Sequence, residues 1–286
     1  MWGPTSCAVR LLSCPWRTAM GRAPAASAGM AFAQVPGRSR TKCDVAIVGG
    51  GVVGSSVALH LAAAAPELRI AVFEGDPTYE RASAPRSAGG IRQQFSLRAN
   101  VELSMYGVHF LRQGLRELCA GMDIETDMQF RENGYLVLAS PGDGEAALRE
   151  SAVVQCSAGA DWIALLDPDA LKCRFPWLST DGIALGAFGE RNEGYFDPWA
   201  LLQAMGKGAK AKGVEYIPQR VVGLSMAPAG GRISSLQLAD GSAVEVGRVV
   251  NAAGAQAGHL VSLCGPAVAP LPVVPRKRSM WLFHAQ

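Results

Sequence analysis

A glycine-rich turn set between an apolar run and an alanine-rich stretch is the feature that most constrains how this chain can fold. Residues 44–48 are a short β-branched run typical of a buried strand, and residues 55–65 have the composition of a helix that ends before Pro66. The intervening residues 49–54 read GGGVVG. The order of strand, glycine turn and helix predicts the first unit of a doubly wound α/β fold.

The spacing of the glycines in this turn predicts a nucleotide site. Gly49 allows a tight turn, Gly51 allows the backbone to approach a pyrophosphate, and Gly54 allows the helix to pack closely on the strand. Val52 and Val53, within the same turn, are included in the expected cofactor site. The helix that follows would direct its free N–H groups at the phosphates.

A second strand strengthens this interpretation. Residues 70–73 are apolar and lead directly to Glu74, 20 residues beyond the last glycine of the turn. An acid at this position accepts a hydrogen bond from a ribose hydroxyl and disfavours a 2′-phosphate. Two alternatives are a membrane span over residues 45–65 and an ordinary turn. The three consecutive glycines and the polar side chains within that stretch disfavour the span.

Charge divides the chain into a basic leader and an acidic body. Residues 1–43 carry six basic side chains and no acid, whereas the whole chain of 286 residues has a net charge of only +3. The body is therefore acidic, which argues against a nucleic-acid partner. A leader rich in Arg, Ala and Ser predicts a mitochondrial transit peptide, with a plain tail as the alternative. The expected location is the mitochondrial matrix or the matrix face of the inner membrane, with peripheral membrane association and no transmembrane span.

The cysteines indicate neither a disulfide framework nor a metal site. The chain has 7 cysteines without a CxxC pair or a Cys/His cluster at ligand spacing. We therefore expect no bound metal and buried free thiols, as in a reducing compartment.

Two segments of the chain resemble a known family. Residues 44–62 resemble the opening of the FAD-dependent amine and amino-acid oxidoreductases, the superfamily of D-amino-acid oxidase, sarcosine oxidase and dimethylglycine dehydrogenase. Residues 87–96 (SAGGIRQQFS) resemble the flavin-facing loop of a mitochondrial branch linked to assembly of respiratory complex I.

The resemblance implies roles for five residues of that loop. Gly89 and Gly90 would let the backbone approach the flavin ring, and Arg92 would offer a cation to a phosphate or to flavin carbonyl oxygens. Gln93 is included in the expected site. Ser87 stands where relatives with covalently bound flavin have a histidine, so the resemblance implies non-covalent FAD. A surface turn with a solvated arginine is the alternative.

A third match lies far downstream. Residues 248–255 read as a strand that enters a turn of small residues, and they resemble the strand that returns beneath the FAD pyrophosphate. This match assigns Ala253 and Gly254 to the site and favours FAD over NAD. Val221 matches the family position whose backbone meets the adenine.

The implied architecture is a Rossmann-like α/β FAD-binding domain with an interleaved α+β substrate domain built on an antiparallel sheet. Residues 1–43 would form the leader. Residues 44–98 and 199–262 would form the discontinuous FAD-binding domain. Residues 99–198 and 263–286 would form the substrate domain, incomplete at its C-terminus.

The pattern of apolar, turn and capping residues also predicts individual elements. The expected helices cover residues 97–120, 145–157 and 199–212, the last with Asp197 as its N-cap and Pro198 at its first position. The expected strands cover 214–217, 221–226, 233–238 and 243–250. A strand pair over 129–138, turning at Asn133-Gly134, and a return to a sheet over 270–283 complete the prediction.

The resemblance implies oxidation of a carbon beside an amine nitrogen, with hydride transfer to flavin N5. The catalytic residues are not identified from the sequence, because no histidine has an adjacent acid; Arg92 is expected to stabilise reduced flavin or to hold a substrate carboxylate. One alternative is an assembly factor that contacts complex I subunits with little or no turnover. Another is a fold without cofactor, because the family closes its FAD site with a segment that this chain lacks.

Overall fold

The structure is a computed structural model that describes residues 41–228, 231–266 and 268–279. The predicted leader lies outside the described residues except for its last three positions. Lys42 and Cys43, which were assigned to the leader, begin the first strand.

The described residues form eleven strands and seven α-helices. In chain order the strands are β1 Lys42–Val48, β2 Ile70–Phe73, β3 Gly90–Ile91, β4 Tyr135–Ala139, β5 Ile163–Leu166, β6 Leu185–Gly189, β7 Gly194–Tyr195, β8 Glu215–Ile217, β9 Val221–Met226, β10 Ile233–Leu238 and β11 Ala243–Asn251. The helices are α1 Val52–Ala64, α2 Arg98–His109, α3 Leu115–Leu118, α4 Asp143–Ser157, α5 Pro168–Arg174, α6 Pro198–Ala211 and α7 Ala257–Ser262. A π-helical turn, Phe110–Gly114, joins α2 to α3, and a 3₁₀ turn, Gly254–Gln256, precedes α7.

The largest sheet has six strands in the order β8-β2-β1-β11-β10-β9. The first four run parallel, and β9 and β10 are added antiparallel to the β11 edge. The carboxyl ends of β1, β2, β8 and β11 therefore lie along one edge of the sheet. In α/β sheets this is the edge at which ligands bind.

A smaller antiparallel sheet, in the order β4-β6-β5, is inserted in the chain between β2 and β8. Strands β3 and β7 pair antiparallel. The segment that leaves the large sheet after β2 therefore lies beside the segment that leads back to it before α6. The predicted α/β fold with an interleaved antiparallel sheet is confirmed. The two ends of the inserted region pair with each other at β3 and β7.

Apolar burial explains why β1 and α1 form the centre of the large unit. Ala46 and Ile47 of β1 and Ala58 and Leu59 of α1 are fully buried. Burial of these apolar side chains stabilises the packing of both elements in the core. Helix α6 packs beside α1, and Gly208 leaves the space that the Leu59 side chain fills. Small residues at this contact allow the two helices to approach closely.

Most of the predicted elements are confirmed, with boundaries that differ by a few residues. The N-cap of α6 is confirmed as well: the Asp197 carboxylate accepts hydrogen bonds from the N–H groups of Trp199 and Ala200. The segment predicted as one helix over 97–120 is helical from Arg98 to Leu118, including the π-turn.

The predicted strand pair over residues 129–138 is wrong. Arg131 makes an isolated bridge to Tyr195, and the strand after Gly134 pairs with β6. The N–H of Gly134 donates to the carbonyl of Glu193. The Asn-Gly signal identifies a real turn, but the pairing partners of the flanking residues come from distant parts of the chain.

The predicted return to a sheet over residues 270–283 is wrong for the part that the structure describes. Residues 270–279 contain no strand, and residues 280–283 lie outside the described range. Pro270, Pro272 and Pro275 each remove a backbone donor, which opposes strand pairing in this segment.

Three further predictions concern membranes, thiols and metals. No helix among the described residues is long and apolar enough to cross a bilayer. The five cysteines of the described region are free, as expected. The expected burial is confirmed for Cys43 and Cys119, is wrong for the exposed Cys156 and Cys173, and is partial at Cys264. The described residues contain no group of three or more potential metal ligands among His, Cys, Asp and Glu.

Candidate functional site

The turn at Gly49–Gly54, called here the phosphate turn, is shaped so that only one of its glycines faces open space. Gly49 has φ of +101°, and a Cβ there would lie 2.8 Å from the carbonyl carbon of Ala252. A Cβ at Gly54 would overlap the carbonyl oxygen of Gly49. By contrast, no described atom lies within 4 Å of the Cβ position at Gly51. The turn therefore packs tightly at its ends and leaves room at Gly51 for a ligand.

Helix α1 begins at this open position. Its N-cap is Gly51, and no side chain caps the helix there. The first N–H groups of a helix lack partners within the helix and carry the positive end of its dipole. Val52 and Val53 form the first residues of α1, and Val53 is 67% exposed. The free N–H groups and the empty space beside Gly51 fit the pyrophosphate of a dinucleotide.

Glu74 lies at the carboxyl end of β2, beside the phosphate turn. Its two carboxylate oxygens accept hydrogen bonds of 2.7 Å from the N–H groups of Gly50 and Asp76. The two hydrogen bonds hold the carboxylate at the edge of the turn.

A chain of hydrogen bonds that the sequence did not reveal supports the turn from inside the protein. The hydroxyl of Tyr216 donates to Ser55 Oγ at 3.0 Å, and Ser55 Oγ donates to the carbonyl of Gly50 at 2.8 Å. Ser55 is fully buried, and burial raises the pKa of Tyr216 to about 12. Both side chains therefore remain neutral and fix the orientation of the Gly50 peptide.

The downstream residues predicted for the site reach the same edge of the sheet. The N–H of Ala252 donates to the carbonyl of Val48, and Ala253 and Gly254 follow at the end of β11. Val221 is the first residue of β9 and is buried. The preceding residue, Arg220, lies against Gly75: its Cβ is 3.2 Å from the point where a Cβ at Gly75 would lie.

The second part of the site is the predicted flavin-facing loop. Gly89 has φ of +64° and lies against the carbonyl of Phe196, whose N–H donates to the carbonyl of Gly89. Gly90 pairs with Tyr195 in the β3–β7 ladder. Ser87 is exposed and accepts a hydrogen bond from the N–H of Gly89. The loop therefore crosses the junction between the large sheet and the inserted region.

Arg92 is held between two aromatic rings. Its guanidinium carbon lies 5.2 Å from the ring centre of Phe95 and 5.1 Å from that of Tyr135, and Nη1 donates to the Tyr135 hydroxyl at 3.2 Å. The buried Nε has no hydrogen-bond partner among the described residues. The aromatic faces stabilise the cation and restrict its position.

Gln93 follows Arg92 and is fully buried beside a buried acid. Its N–H donates to Glu193 Oε1 at 2.6 Å, and the Gln94 side chain donates to Glu193 Oε2 at 2.7 Å. Burial raises the pKa of Glu193 above its ordinary value, against the opposing effect of these hydrogen bonds. Sequence reasoning missed Glu193, because an acid 100 residues away from its partner has no local signature.

Contacts through Tyr79 and Trp199 join the two parts of the site. The Tyr79 hydroxyl lies 3.1 Å from the Cβ position of Gly50, and its ring meets Trp199 edge-on at 6.3 Å. Trp199 lies in the first turn of α6, directly after Pro198, whose Cδ lies 3.1 Å from the Cβ position of Gly89. The phosphate turn and the predicted flavin-facing loop thus belong to one continuous region.

The histidines of the described region have no acidic partner. His60 lies within α1 and bonds the carbonyl of Ser56 through Nδ1 at 2.8 Å. His109 and His259 are exposed on helices, and His284 lies outside the described residues. A general base therefore remains unassigned.

The fold and the site together define a class. A glycine turn and an acid at the carboxyl edge of a parallel sheet, with an antiparallel sheet inserted in the chain, define the class of α/β dinucleotide-binding folds.

The comparisons identify the family within this class. Residues 44–286 match the model of the family described as "FAD dependent oxidoreductase", so the chain belongs to that family, and FAD is its cofactor, as predicted. The chain is 39% identical over 270 residues to the FAD-dependent oxidoreductase domain-containing protein 1 of Bos taurus, covering 85% of this chain and 55% of that protein. The mitochondrial dimethylglycine dehydrogenase of Rattus norvegicus is 27% identical, covering 91% of this chain and 30% of that protein.

A solved structure has the same fold. The L-proline dehydrogenase from P. horikoshii superimposes with a TM-score of 0.67 at 24% identity, covering 81% of this chain and 58% of that chain. The chain spans about half the length of the first curated relatives that it matches.

Proposed function

We propose that this protein oxidises a C–N bond of a small amine or N-methyl amino acid by hydride transfer to non-covalently bound FAD. The observation that carries the proposal is the continuous region formed by the phosphate turn and the aromatic-flanked Arg92. A named relative, dimethylglycine dehydrogenase, acts on such an amine and supports the choice of substrate class. FAD, when bound, supplies the hydride acceptor.

The side chains of this protein supply binding and electrostatics in that reaction. The N-terminus of α1 would bind the pyrophosphate, and Glu74 would accept a ribose hydroxyl. Arg92 would place a positive charge where negative charge develops, either on the reduced cofactor or on a substrate carboxylate.

The test is anaerobic reduction of the purified, FAD-loaded protein. Dimethylglycine, sarcosine, glycine and proline are added separately, and the absorbance of oxidised flavin is followed. We expect at least one of these amines to bleach the flavin, while a non-amine such as glycerol 3-phosphate does not. Absence of bleaching by every amine, in protein that contains stoichiometric FAD and is reduced by dithionite, would contradict the proposal.

A second candidate is an assembly role in which FAD serves structure. The relative at 39% identity is named for its domain and not for a substrate, which favours keeping this candidate. In this role the protein would contact subunits or intermediates of respiratory complex I. Loss of complex I on deletion, restored by a variant that binds FAD but is not reduced by amines, would support the second candidate over the first.

The proposed location is the mitochondrial matrix. The support is the basic, acid-free composition of residues 1–43 together with the relative named mitochondrial dimethylglycine dehydrogenase. Microscopy of the chain fused at its C-terminus to a fluorescent protein, compared with the same fusion lacking residues 1–40, tests this proposal. Equal mitochondrial signal from both fusions would contradict the role of the leader.

A further inference from the structure

Residues 92–95, called here the Arg92 segment, have no regular secondary structure, yet polar groups from other elements hold them at several points. The carbonyl of Arg92 accepts from Ser104 Oγ on α2 at 2.6 Å. The carbonyl of Phe95 accepts from the buried Gln155 side chain on α4 at 3.2 Å. Between these points, Glu193 accepts both the Gln93 N–H and the Gln94 side-chain amide.

Glu193 is the charged member of this set, and the fold makes a specific place for it. Its side chain is fully buried. A Cβ at Gly189 would overlap the Glu193 carboxylate, so the space depends on glycine at that position. The backbone of Glu193 is also fixed, because its carbonyl accepts from the N–H of Gly134.

A buried carboxylate is costly unless its oxygens are hydrogen-bonded and a positive charge lies near. Both oxygens of Glu193 accept N–H donors from consecutive residues, 93 and 94, and the positive charge of Arg92 lowers its pKa against the effect of burial. The same acid therefore orders the backbone that follows Arg92 and balances its charge.

We propose that Glu193 is a positioning residue that holds the Arg92 segment, and so the Arg92 guanidinium, in the geometry required for the bound flavin. The inference rests on the proposed function through the placement of Arg92 beside the flavin. Glu193 itself acts through Gln93 and Gln94.

The variant Glu193→Gln tests this role because glutamine has only one acceptor oxygen at its amide end. One of the two donors that face Glu193 would then meet an NH₂ group. Glu193→Asp retains the charge but is one methylene shorter, so that its oxygens no longer reach both donors; it serves if the glutamine variant does not fold. Glu150→Gln, an exposed position on α4, is the matched control for the loss of one negative charge.

Two measurements on the full chain separate positioning from a general structural role. Hydrogen–deuterium exchange of the protein without FAD should be faster by roughly tenfold or more in the peptide that contains residues 92–95, the size expected for loss of a charged hydrogen bond. Exchange in β1 and α1 should be unchanged. The dissociation constant of FAD, measured by quenching of flavin fluorescence, should rise by about the same factor, whereas Glu150→Gln should match the wild type.

Three outcomes would overturn the inference. Faster exchange throughout the protein, with unchanged FAD affinity of the folded fraction, assigns Glu193 to general stability. Unchanged exchange in the Arg92 segment removes the positioning role. Faster exchange confined to this segment with unchanged FAD affinity separates Glu193 from the cofactor. A wild type that no amine reduces contradicts the proposed function, yet leaves the effect of Glu193→Gln on FAD affinity as an independent result.

Discussion

Two glycines of the phosphate turn should respond in opposite ways to the same substitution. Gly54→Ala places a methyl group against the backbone of Gly49, with the new Cβ 3.0 Å from the carbonyl carbon and overlapping its oxygen. Gly51→Ala places the methyl group where no described atom lies within 4 Å. Gly54 should therefore matter for folding without any ligand, and Gly51 should matter for binding of FAD.

The magnitudes follow from these distances. Overpacking typically costs about 1–3 kcal/mol, and the upper part of that range applies to Gly54 because the neighbour is backbone, which cannot rotate away. The higher helix propensity of alanine offsets about 1 kcal/mol. A net loss of about 2 kcal/mol corresponds to a Tm lower by roughly 4–8 °C in a domain of this size.

Gly51→Ala should behave differently in both respects. Its backbone is extended, with φ of −62° and ψ of −173°, which alanine adopts without strain. The loss of an N-cap glycine should lower stability by no more than about 1 kcal/mol. The methyl group would obstruct the approach of the pyrophosphate to the backbone, so FAD affinity should fall by about tenfold or more.

Thermal unfolding without FAD and fluorescence titration with FAD measure the two effects separately. The wild type and both variants are prepared without cofactor, unfolded in parallel, and then titrated. An apo Gly54→Ala protein as stable as the wild type, or a Gly51→Ala protein with unchanged FAD affinity, would refute the assignment of the two glycines.

Three further predictions concern other parts of the protein. Tyr216→Phe removes a buried hydroxyl donor behind the phosphate turn and should lower the free energy of unfolding in urea by about 1 kcal/mol. The hydrogen-bonded Arg69 holds the pKa of Asp44 at about 2, below the ordinary 3.8. The pair therefore stabilises the fold above about pH 4, and this contribution is lost as the pH falls towards 2. In Asp44→Asn the free energy of unfolding should depend less steeply on pH between about 4 and 2. Exposed Cys156 should react with iodoacetamide at pH 8, whereas Cys43, buried with its pKa raised to about 11, should not react in the folded protein.

A specific result would contradict each of these predictions. Identical urea midpoints and slopes for Tyr216→Phe and the wild type would remove the structural role of the hydroxyl. An unchanged acid transition in Asp44→Asn would show that the ion pair contributes nothing to it. Modification of Cys43 at the rate of Cys156, measured by mass spectrometry of native protein, would contradict the burial of the thiol.

The phosphate turn could be predicted because its information is local. Strand, glycine spacing, helix and Glu74 all lie within residues 44–74, and each residue type follows from backbone geometry or from burial. Helix α6, which leads from the inserted region back to the large sheet and has its N-cap at Asp197, was predictable for the same reason.

The prediction of a strand pair failed because the pairing partners are distant in the chain. Residues 129–134 carry a hairpin signal, but Arg131 bridges to Tyr195, and Gly134 donates to Glu193. The sequence indicates a turn there; it does not indicate which strand provides the partner. Cys156 and Cys173 were expected to be buried, but the helices that carry them present them to solvent.

The sequence by itself determined the family of the chain, its cofactor and the local geometry of the phosphate turn, because short-range sterics and helix polarity act within one strand–turn–helix unit. Only the tertiary structure decided what surrounds Arg92: the rings of Phe95 and Tyr135, and the buried carboxylate of Glu193. The contacts of Tyr135 and Glu193 join segments about 40 and 100 residues apart, and such contacts depend on how the inserted region closes through β3 and β7, which no local pattern encodes.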